Sequence, residues 1–204
     1  LIKPVNPNQI LLTIKKNLDN KRLISKETVS GYQSQFNKIA MDINYAREYK
    51  DWVEIYKKLV YWDIELESLS DKNLEQILHT QKEEANNGFA RFIMKNYTDW
   101  LQPNAQEKPV FSHNLVPKYL VPAMQKYEKV YFLVIDNMRY DQWKVLYPSI
   151  RQLFALKSEE VYCSILPTAT QYARNAIFAG LMPLEISKMH PQYWIEESDN
   201  ESKN

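Results

Sequence analysis

The sequence has little cysteine, little glycine and no surplus of charge of either sign. Its single cysteine, Cys163, excludes an intrachain disulfide and a cysteine-based zinc site, and it favours a reducing, cytoplasmic location. Only 3 glycines stand beside 13% aromatic residues, a pairing that favours long helices with aromatic packing over a turn-rich β protein. Because 26 Lys and Arg residues nearly balance 25 Asp and Glu residues, the overall charge gives no argument for nucleic-acid or membrane binding.

Long apolar runs are missing as well. No run approaches the length needed to cross a bilayer, and the N-terminus lacks the layout of a signal peptide, so no membrane insertion is expected. With 204 residues the chain can bury a core, and its length indicates one or two domains. It opens without Met and closes on a polar, acidic stretch, so we interpret it as a segment of a longer protein.

The first 20 residues predict the end of a strand followed by a helix. The apolar residues that share one face of this helix are Ile10, Leu11, Ile14 and Leu18. A strand that ends in Lys3-Pro4 and leads into an amphipathic helix resembles the closing unit of response-regulator receiver domains. The resemblance implies that Lys3 reaches the phosphorylated aspartate of a receiver and acts as its switch residue. An arbitrary loop before a helix stays open as the alternative.

The middle of the chain predicts long amphipathic helices. Apolar residues recur at every third or fourth position over residues 28–69 and again over 74–100. Ser25 is a candidate helix start, Ser70-Asp71 supplies a new cap and an acid in the first turn of the next helix, and Asn86-Asn87-Gly88 predicts a loosened stretch. The many Tyr and Trp residues suit a base-stacking platform too, but their helical spacing favours packing between helices.

After Pro109 the pattern changes to alternating strands and helices. Residues 129–135 form a continuous apolar run of the kind that is buried in a parallel sheet. A helix is predicted over 141–154, a second strand over 161–166 and a second helix over 171–179. This order predicts the beginning of a three-layer α/β sheet.

One carboxylate and one hydroxyl follow the two predicted strands. The ligand crevice of an open α/β sheet lies beyond the carboxyl ends of its strands, so Asp136 and Thr170 converge if the strands are parallel neighbours. Asp136 would bind zinc or manganese, and the ion would lower the pKa of the Thr170 hydroxyl enough to make it a nucleophile. Thr170 also lies at or near a helix start, where free N–H groups favour phosphoryl oxygens. Each residue alone is more typical of a helix cap, but their order and context favour a metal-dependent site.

These residues belong to motifs that resemble the PglZ domain of the alkaline phosphatase superfamily. The motifs are Phe132 to Trp143, Leu166-Pro167-Thr168-Ala169-Thr170, and Ile177 to Pro183. The resemblance implies a three-layer alkaline-phosphatase-like sheet, of which this chain contains a part. It divides the chain into the C-terminal end of a receiver domain (1–20), a helical bundle linker (21–104) and the N-terminal part of a PglZ domain (105–204). That order is similar to response regulators of the PorX type.

The resemblance also assigns roles to residues. It implies a phosphohydrolase site with two zinc ions, in which Asp136 binds metal and Thr170 is both ligand and nucleophile. Nucleotide pyrophosphatases use the second Thr of a similar Pro-Thr-x-Thr pattern, which favours Thr170, although Thr168 stays open. Asn137 and Arg174 are candidate contacts for substrate phosphate, since an amide and a guanidinium suit that task. The family places its remaining Asp and His ligands later in the domain, so this segment alone is expected to be inactive.

The implied function is a cytoplasmic two-component response regulator whose output is a zinc-dependent phosphodiesterase acting on oligonucleotides. The implied partners are a cognate sensor histidine kinase, a second copy of the chain after phosphorylation, and a sigma factor or secretion component. A catalytically silent signalling adaptor that binds a transcription or secretion partner is the alternative.

Overall fold

The computed structural model describes residues 7–67, 69, 71–102 and 104–194, and most of these are helical. The α-helices are α1 (Pro7–Tyr45), α2 (Tyr49–Glu67), α3 (Lys72–Trp100), α4 (Val121–Lys126), α5 (Tyr140–Ile150), α6 (Thr170–Ala179) and α7 (Pro183–Met189). Short 3₁₀ segments cover Ser112–Asn114 and Pro191–Tyr193, and a π-helical segment covers Val116–Leu120. Among the described residues, no helix combines the length and the apolar character needed to cross a membrane.

The chain divides into two compact units. We call Leu1–Asp99 with Arg139–Ile150 the bundle unit, and Trp100–Met138 with Arg151–Asn204 the C-terminal unit. The predicted domain boundaries stay a prediction. Lys3, the predicted receiver switch, lies outside the described residues.

The core of the bundle unit is built from α1, α2 and α3. Its buried residues are Tyr32, Ile39, Ala46, Trp52, Ile55, Leu59, Trp62, Leu66, Leu74, Leu78 and Ala85. Tyr32, Trp52 and Trp62 are all 8% exposed or less, so the aromatic residues at helical spacing pack between helices as predicted.

Two glycines in the bundle unit allow indole rings to lie against a helix backbone. A Cβ atom on Gly88 would lie 2.6 Å from Cη2 of Trp52, and one on Gly31 would lie 3.1 Å from Cη2 of Trp62. The helix α3 continues through Asn86-Asn87-Gly88, so the predicted loosening is wrong. Gly88 is present because its missing side chain makes room for Trp52.

Two short polar side chains at predicted helix starts in the bundle unit form different kinds of hydrogen bond. Ser25 does not begin a helix, since α1 runs through it and its hydroxyl donates a hydrogen bond to the Lys21 carbonyl at 2.9 Å. Asp71, predicted as a first-turn acid, instead caps α3: its Oδ1 accepts the backbone N–H groups of Asn73 and Leu74 at 3.0 and 3.3 Å. Ser70, the other residue of the predicted start, lies outside the described residues.

A buried polar pair ties α1 to α3. The Tyr32 hydroxyl donates to Oε1 of Gln81 at 3.3 Å, and Nε2 of Gln81 donates to the Phe36 carbonyl at 3.0 Å. Burial raises the pKa of Tyr32 to about 12, so the phenol stays neutral and available as a donor.

The fourth helix of the bundle unit, α5, packs against α2. The rings of Tyr56 on α2 and Tyr140 on α5 lie 5.8 Å apart, centroid to centroid. The predicted helix over 141–154 is therefore present but shorter, because it begins at Tyr140 and ends at Ile150.

The predicted sheet is not seen among the described residues of the C-terminal unit. In the described part of this unit, one isolated parallel β-bridge joins Phe111 and Cys163. The Cys163 N–H donates a hydrogen bond to the Val110 carbonyl at 2.8 Å. The apolar run 129–135 is not a strand and is not buried, since Tyr131 is 84% and Leu133 78% exposed. A strand requires a neighbouring strand to accept and donate its hydrogen bonds, and the described residues supply none to this run.

Local packing in the C-terminal unit places the start of α6. Phe111 and Ile165 are buried, and the Ile165 N–H donates to Oγ of Ser112 at 3.2 Å. At its other end α6 stops at Gly180, which has a φ of 66° and donates its N–H to the Ala176 carbonyl at 3.0 Å. This is the left-handed helix end that the glycine predicts.

Candidate active site

Asp136 lies at the end of an extended, exposed segment of the C-terminal unit. Its Oδ1 accepts the N–H of the next residue, Asn137, at 3.0 Å. Its Oδ2 lies 3.5 Å from Nη1 of Arg174, and both side chains are at least half exposed. The carboxylate is therefore open to solvent and is paired through only one of its oxygens to a cation.

Two contacts set the direction of this segment along α6. The ring of Phe132 meets the ring of Phe178 edge to face, with centroids 6.2 Å apart, and four residues later Asp136 meets Arg174. The segment therefore runs alongside α6 from the C-terminal towards the N-terminal part of that helix. Asp136 arrives at the half of α6 that begins with Thr170.

Thr170 is the first residue of α6 and is exposed. It lies four residues before Arg174, so the two Cβ atoms share one helical face about 5–6 Å apart. Through Arg174, Asp136 therefore contacts the helix that begins with Thr170. The convergence of the Asp136 carboxylate with the Thr170 hydroxyl stays a prediction.

The hydroxyl of Thr170 does not have the role of a helix cap. The capping position is Ala169, whose methyl side chain cannot accept a hydrogen bond. The backbone carbonyl of Ala169 accepts the N–H groups of Tyr172 and Ala173 at 3.0 and 2.9 Å. Thr168, the other candidate nucleophile, is also exposed but precedes the helix.

Asn137 has an unusual backbone conformation next to the candidate ligand. Its φ of 56° lies in the left-handed region, which Asn tolerates better than most residues with a side chain. The side chain is exposed. Such conformations are concentrated at functional sites, which makes this turn consistent with the predicted role of Asn137.

The turn after Asn137 is held by polar contacts at the start of α5. Arg139 donates from Nε and Nη2 to the two carboxylate oxygens of Asp141, at 3.0 and 2.8 Å. The Arg139 hydrogen bonds lower the pKa of Asp141. Oε1 of Gln142 accepts the Arg139 N–H at 2.9 Å, which satisfies a backbone donor at the start of α5.

The donor atoms of Asp136 and Thr170 fit one zinc or manganese ion in type, since both ions accept carboxylate and hydroxyl oxygen. Within the described residues, no group of three or more His, Cys, Asp and Glu side chains is placed to hold a metal ion. The two residues would therefore supply only a part of a ligand set.

His113 and His190 pack against aromatic rings. The ring of His113 stacks on Phe111 at 6.1 Å, and its Nδ1 is buried without a hydrogen-bond partner among the described residues. Burial lowers the pKa of His113. His190 lies against Tyr193, with ring centroids 6.5 Å apart.

Comparison with known families finds two matches. Residues 22–101 match the PorX response regulator linker domain, and residues 115–204 match the BREX system PglZ alkaline phosphatase-like domain. No curated protein matched the chain. The two family matches define the class: a response-regulator linker followed by a phosphatase-like output domain. Together the two matches support a response regulator of the PorX type that carries a PglZ domain.

Proposed function

We propose that the PglZ output domain is a zinc-dependent phosphodiesterase that acts on oligonucleotides through Thr170. The observation that supports this most is the 3.5 Å contact between Asp136 and Arg174, because it joins the candidate metal ligand to the helix of which Thr170 is the first residue. The substrate class rests on the family resemblance.

In the proposed reaction Thr170 is the nucleophile. Its hydroxyl loses a proton, Oγ forms a bond to phosphorus, and the ester bond to the leaving oxygen breaks as that oxygen takes up a proton. Water then attacks the phosphoryl-Thr170 intermediate, releases the second product and restores the hydroxyl. The first N–H groups of α6 point towards the phosphoryl oxygens that such a nucleophile would meet.

Asp136 and Thr170 would hold the metal ion in this site. When bound, zinc would lower the pKa of the Thr170 hydroxyl and withdraw charge from the phosphoryl oxygens. Arg174 would then exchange its contact with Asp136 for a bidentate contact with the substrate phosphate, for which a guanidinium is well suited. Asn137 would donate its side-chain amide to the same phosphate.

Control of this activity would come from phosphorylation of a receiver by a sensor histidine kinase. In this scheme Lys3 contacts the phosphorylated aspartate, the chain dimerises, and the linker carries the change to the output domain in the cytoplasm. A sigma factor or a secretion component would respond to the result.

Hydrolysis of a fluorescently labelled oligonucleotide by the full-length protein tests the assignment, with Thr170→Ala beside the matched variant Thr168→Ala. We expect Thr170→Ala to abolish turnover and Thr168→Ala to retain most of it, with circular dichroism spectra that match the wild type. Full activity in Thr170→Ala would refute the nucleophile. A wild-type protein that binds its partner without any hydrolysis would instead favour a signalling adaptor.

A further inference from the structure

Two of the candidate site residues are paired with each other inside the C-terminal unit. Nη1 of Arg174 lies 3.5 Å from Oδ2 of Asp136, and the two side chains are 50% and 57% exposed. Asp136 is the candidate metal ligand, and Arg174 is a candidate contact for substrate phosphate. Each residue therefore occupies the group that the ligand of the other residue would need.

The two oxygens of the Asp136 carboxylate have different partners. Oδ1 accepts the N–H of Asn137 at 3.0 Å, within the turn in which Asn137 has its φ of 56°. Oδ2 is the oxygen that contacts Arg174. A hydrogen bond from a neighbouring backbone N–H is local and stays with the turn, so Oδ2 is the oxygen more available to an incoming cation. A metal ion and the Arg174 guanidinium are therefore rivals for one carboxylate.

The pair can open without a movement of the backbone. The rings of Phe132 and Phe178 meet with centroids 6.2 Å apart, one helical turn beyond Arg174, and they hold the segment before Asp136 alongside α6 independently of the ion pair. Both charged side chains are at least half exposed, so either one can turn away into solvent. Loss of the pair therefore frees two charged groups and leaves the aromatic contact in place.

We propose that Asp136 closes the phosphate subsite of Arg174 until a divalent cation takes the carboxylate. With Asp136 engaged by a cation, the guanidinium is free to bind the substrate phosphate through two nitrogens. Phosphate on Arg174 in turn frees the carboxylate, because coupling between two binding sites is reciprocal. This inference rests on the proposed function and adds an order to it: substrate phosphate binds weakly until the metal is in place.

Zinc affinity of the full-length protein, measured by competition with a chelating dye, tests this rivalry without recourse to activity. Arg174→Gln should bind zinc roughly 2- to 5-fold more tightly than wild type, the range expected for the loss of one exposed ion pair. A poorly folded variant would lose affinity, so a gain cannot come from damage to the fold. Wild-type affinity in Arg174→Gln would overturn the proposal, and weaker binding would show instead that Arg174 holds Asp136 in place for the metal.

Two matched variants control for charge. Arg174→Lys keeps a cation that can contact Oδ2 through its single nitrogen, so its zinc affinity should stay close to that of wild type. Arg151→Gln removes one positive charge at another exposed position of the C-terminal unit and should also match the wild type. An equal gain in Arg151→Gln and Arg174→Gln would overturn the proposal, because the effect would then come from net charge alone.

Binding of inorganic phosphate in the presence of EDTA, measured by calorimetry, tests the pair from the other side. Asp136→Asn should bind phosphate roughly 2- to 5-fold more tightly than wild type, and Glu160→Gln, at an exposed position of the same unit, should match the wild type. Equal affinity in Asp136→Asn and wild type, including no binding by either, would overturn the proposal. A wild-type protein without zinc affinity would refute the proposed function, and the phosphate measurement would still decide whether Asp136 closes the Arg174 subsite.

Discussion

The indole of Trp52 lies so close to Gly88 that a single added carbon would collide with it. A Cβ atom at residue 88 would be 2.6 Å from Cη2 of Trp52 and 3.3 Å from Cζ3. Trp52 is 7% exposed and touches the rings of Phe89 and Phe92, so it has little room to withdraw. The packing of α2 on α3 thus depends on the absence of a side chain.

Gly88→Ala should therefore destabilise the bundle unit, against the usual benefit of alanine in a helix. Helix propensity alone would stabilise by about 1 kcal/mol. Overpacking a closed core costs about 1–3 kcal/mol, and a backbone-fixed Cβ cannot move away. We expect the free energy of unfolding to fall, which would be measured as a lower midpoint of urea unfolding. Asn87→Ala, at the exposed neighbour, should raise the midpoint slightly; a stabilising Gly88→Ala would show that Trp52 can shift.

The buried pair of Tyr32 and Gln81 makes a second prediction about stability. Tyr32 and Gln81 are at most 2% exposed in the folded protein. Gln81→Leu removes the hydrogen-bond acceptor of the Tyr32 hydroxyl and leaves that hydroxyl buried without it. An unsatisfied buried hydroxyl costs about 1–3 kcal/mol. Urea unfolding should show a loss in that range. Adding Tyr32→Phe to Gln81→Leu should restore part of the stability, because the orphaned group is then absent; a purely additive double variant would contradict this.

Protonation of His113 should destabilise the C-terminal unit. Burial lowers the pKa of His113 below its ordinary value of 6.5; Glu185 opposes this shift and Lys108 adds to it. Because the folded state holds the proton less tightly than the unfolded state, stability is fully present above 6.5 and declines as the pH falls towards the folded pKa. Melting temperatures should therefore rise from about pH 5 to about 6.5 and level off at higher pH.

The matched pair His113→Leu and His79→Leu separates this effect from general acid sensitivity. His79 is exposed on α3, with its side chain 62% accessible. His113→Leu should flatten the rise of melting temperature with pH, whereas His79→Leu should leave its slope close to that of wild type. An unchanged slope in His113→Leu would place the titrating group elsewhere.

Much of the bundle unit could be predicted from the sequence, because its signals are local. Apolar residues at every third or fourth position predicted the helices and their aromatic packing. Asp71, as an acid of the first turn, predicted the start of α3. The helix start predicted at Ser25 was wrong because a serine hydroxyl can donate a hydrogen bond to a carbonyl of the preceding turn instead of capping a helix. The loosened stretch predicted at Gly88 was wrong because the residue that requires a glycine there, Trp52, lies on another helix.

The C-terminal unit was harder to predict because its interactions are not local. The apolar run before Asp136 predicted a buried strand, yet a strand depends on partners whose position no pattern in the run specifies. Asp136 and Thr170 were predicted as site residues from their positions after apolar segments, and that assignment stays a prediction. The contacts of Phe132 with Phe178 and of Asp136 with Arg174 could not be predicted, because no pattern in the sequence joins these residues. The contact of Tyr56 with Tyr140 could not be predicted either, because the two residues are 84 positions apart in the chain.

Asn137 allows the backbone and side-chain contributions to the candidate site to be separated. Asn137→Gly keeps access to the left-handed φ of 56° but removes the amide, whereas Asn137→Ala removes the amide and also disfavours that φ. If the amide contacts substrate phosphate, both variants should raise KM for the oligonucleotide. Only Asn137→Ala should also lower kcat and zinc affinity, because strain of about 1–2 kcal/mol would disturb the adjacent Asp136. Wild-type KM in Asn137→Gly would mean that Asn137 serves the turn alone, and the contact with phosphate would then have to come from Arg174.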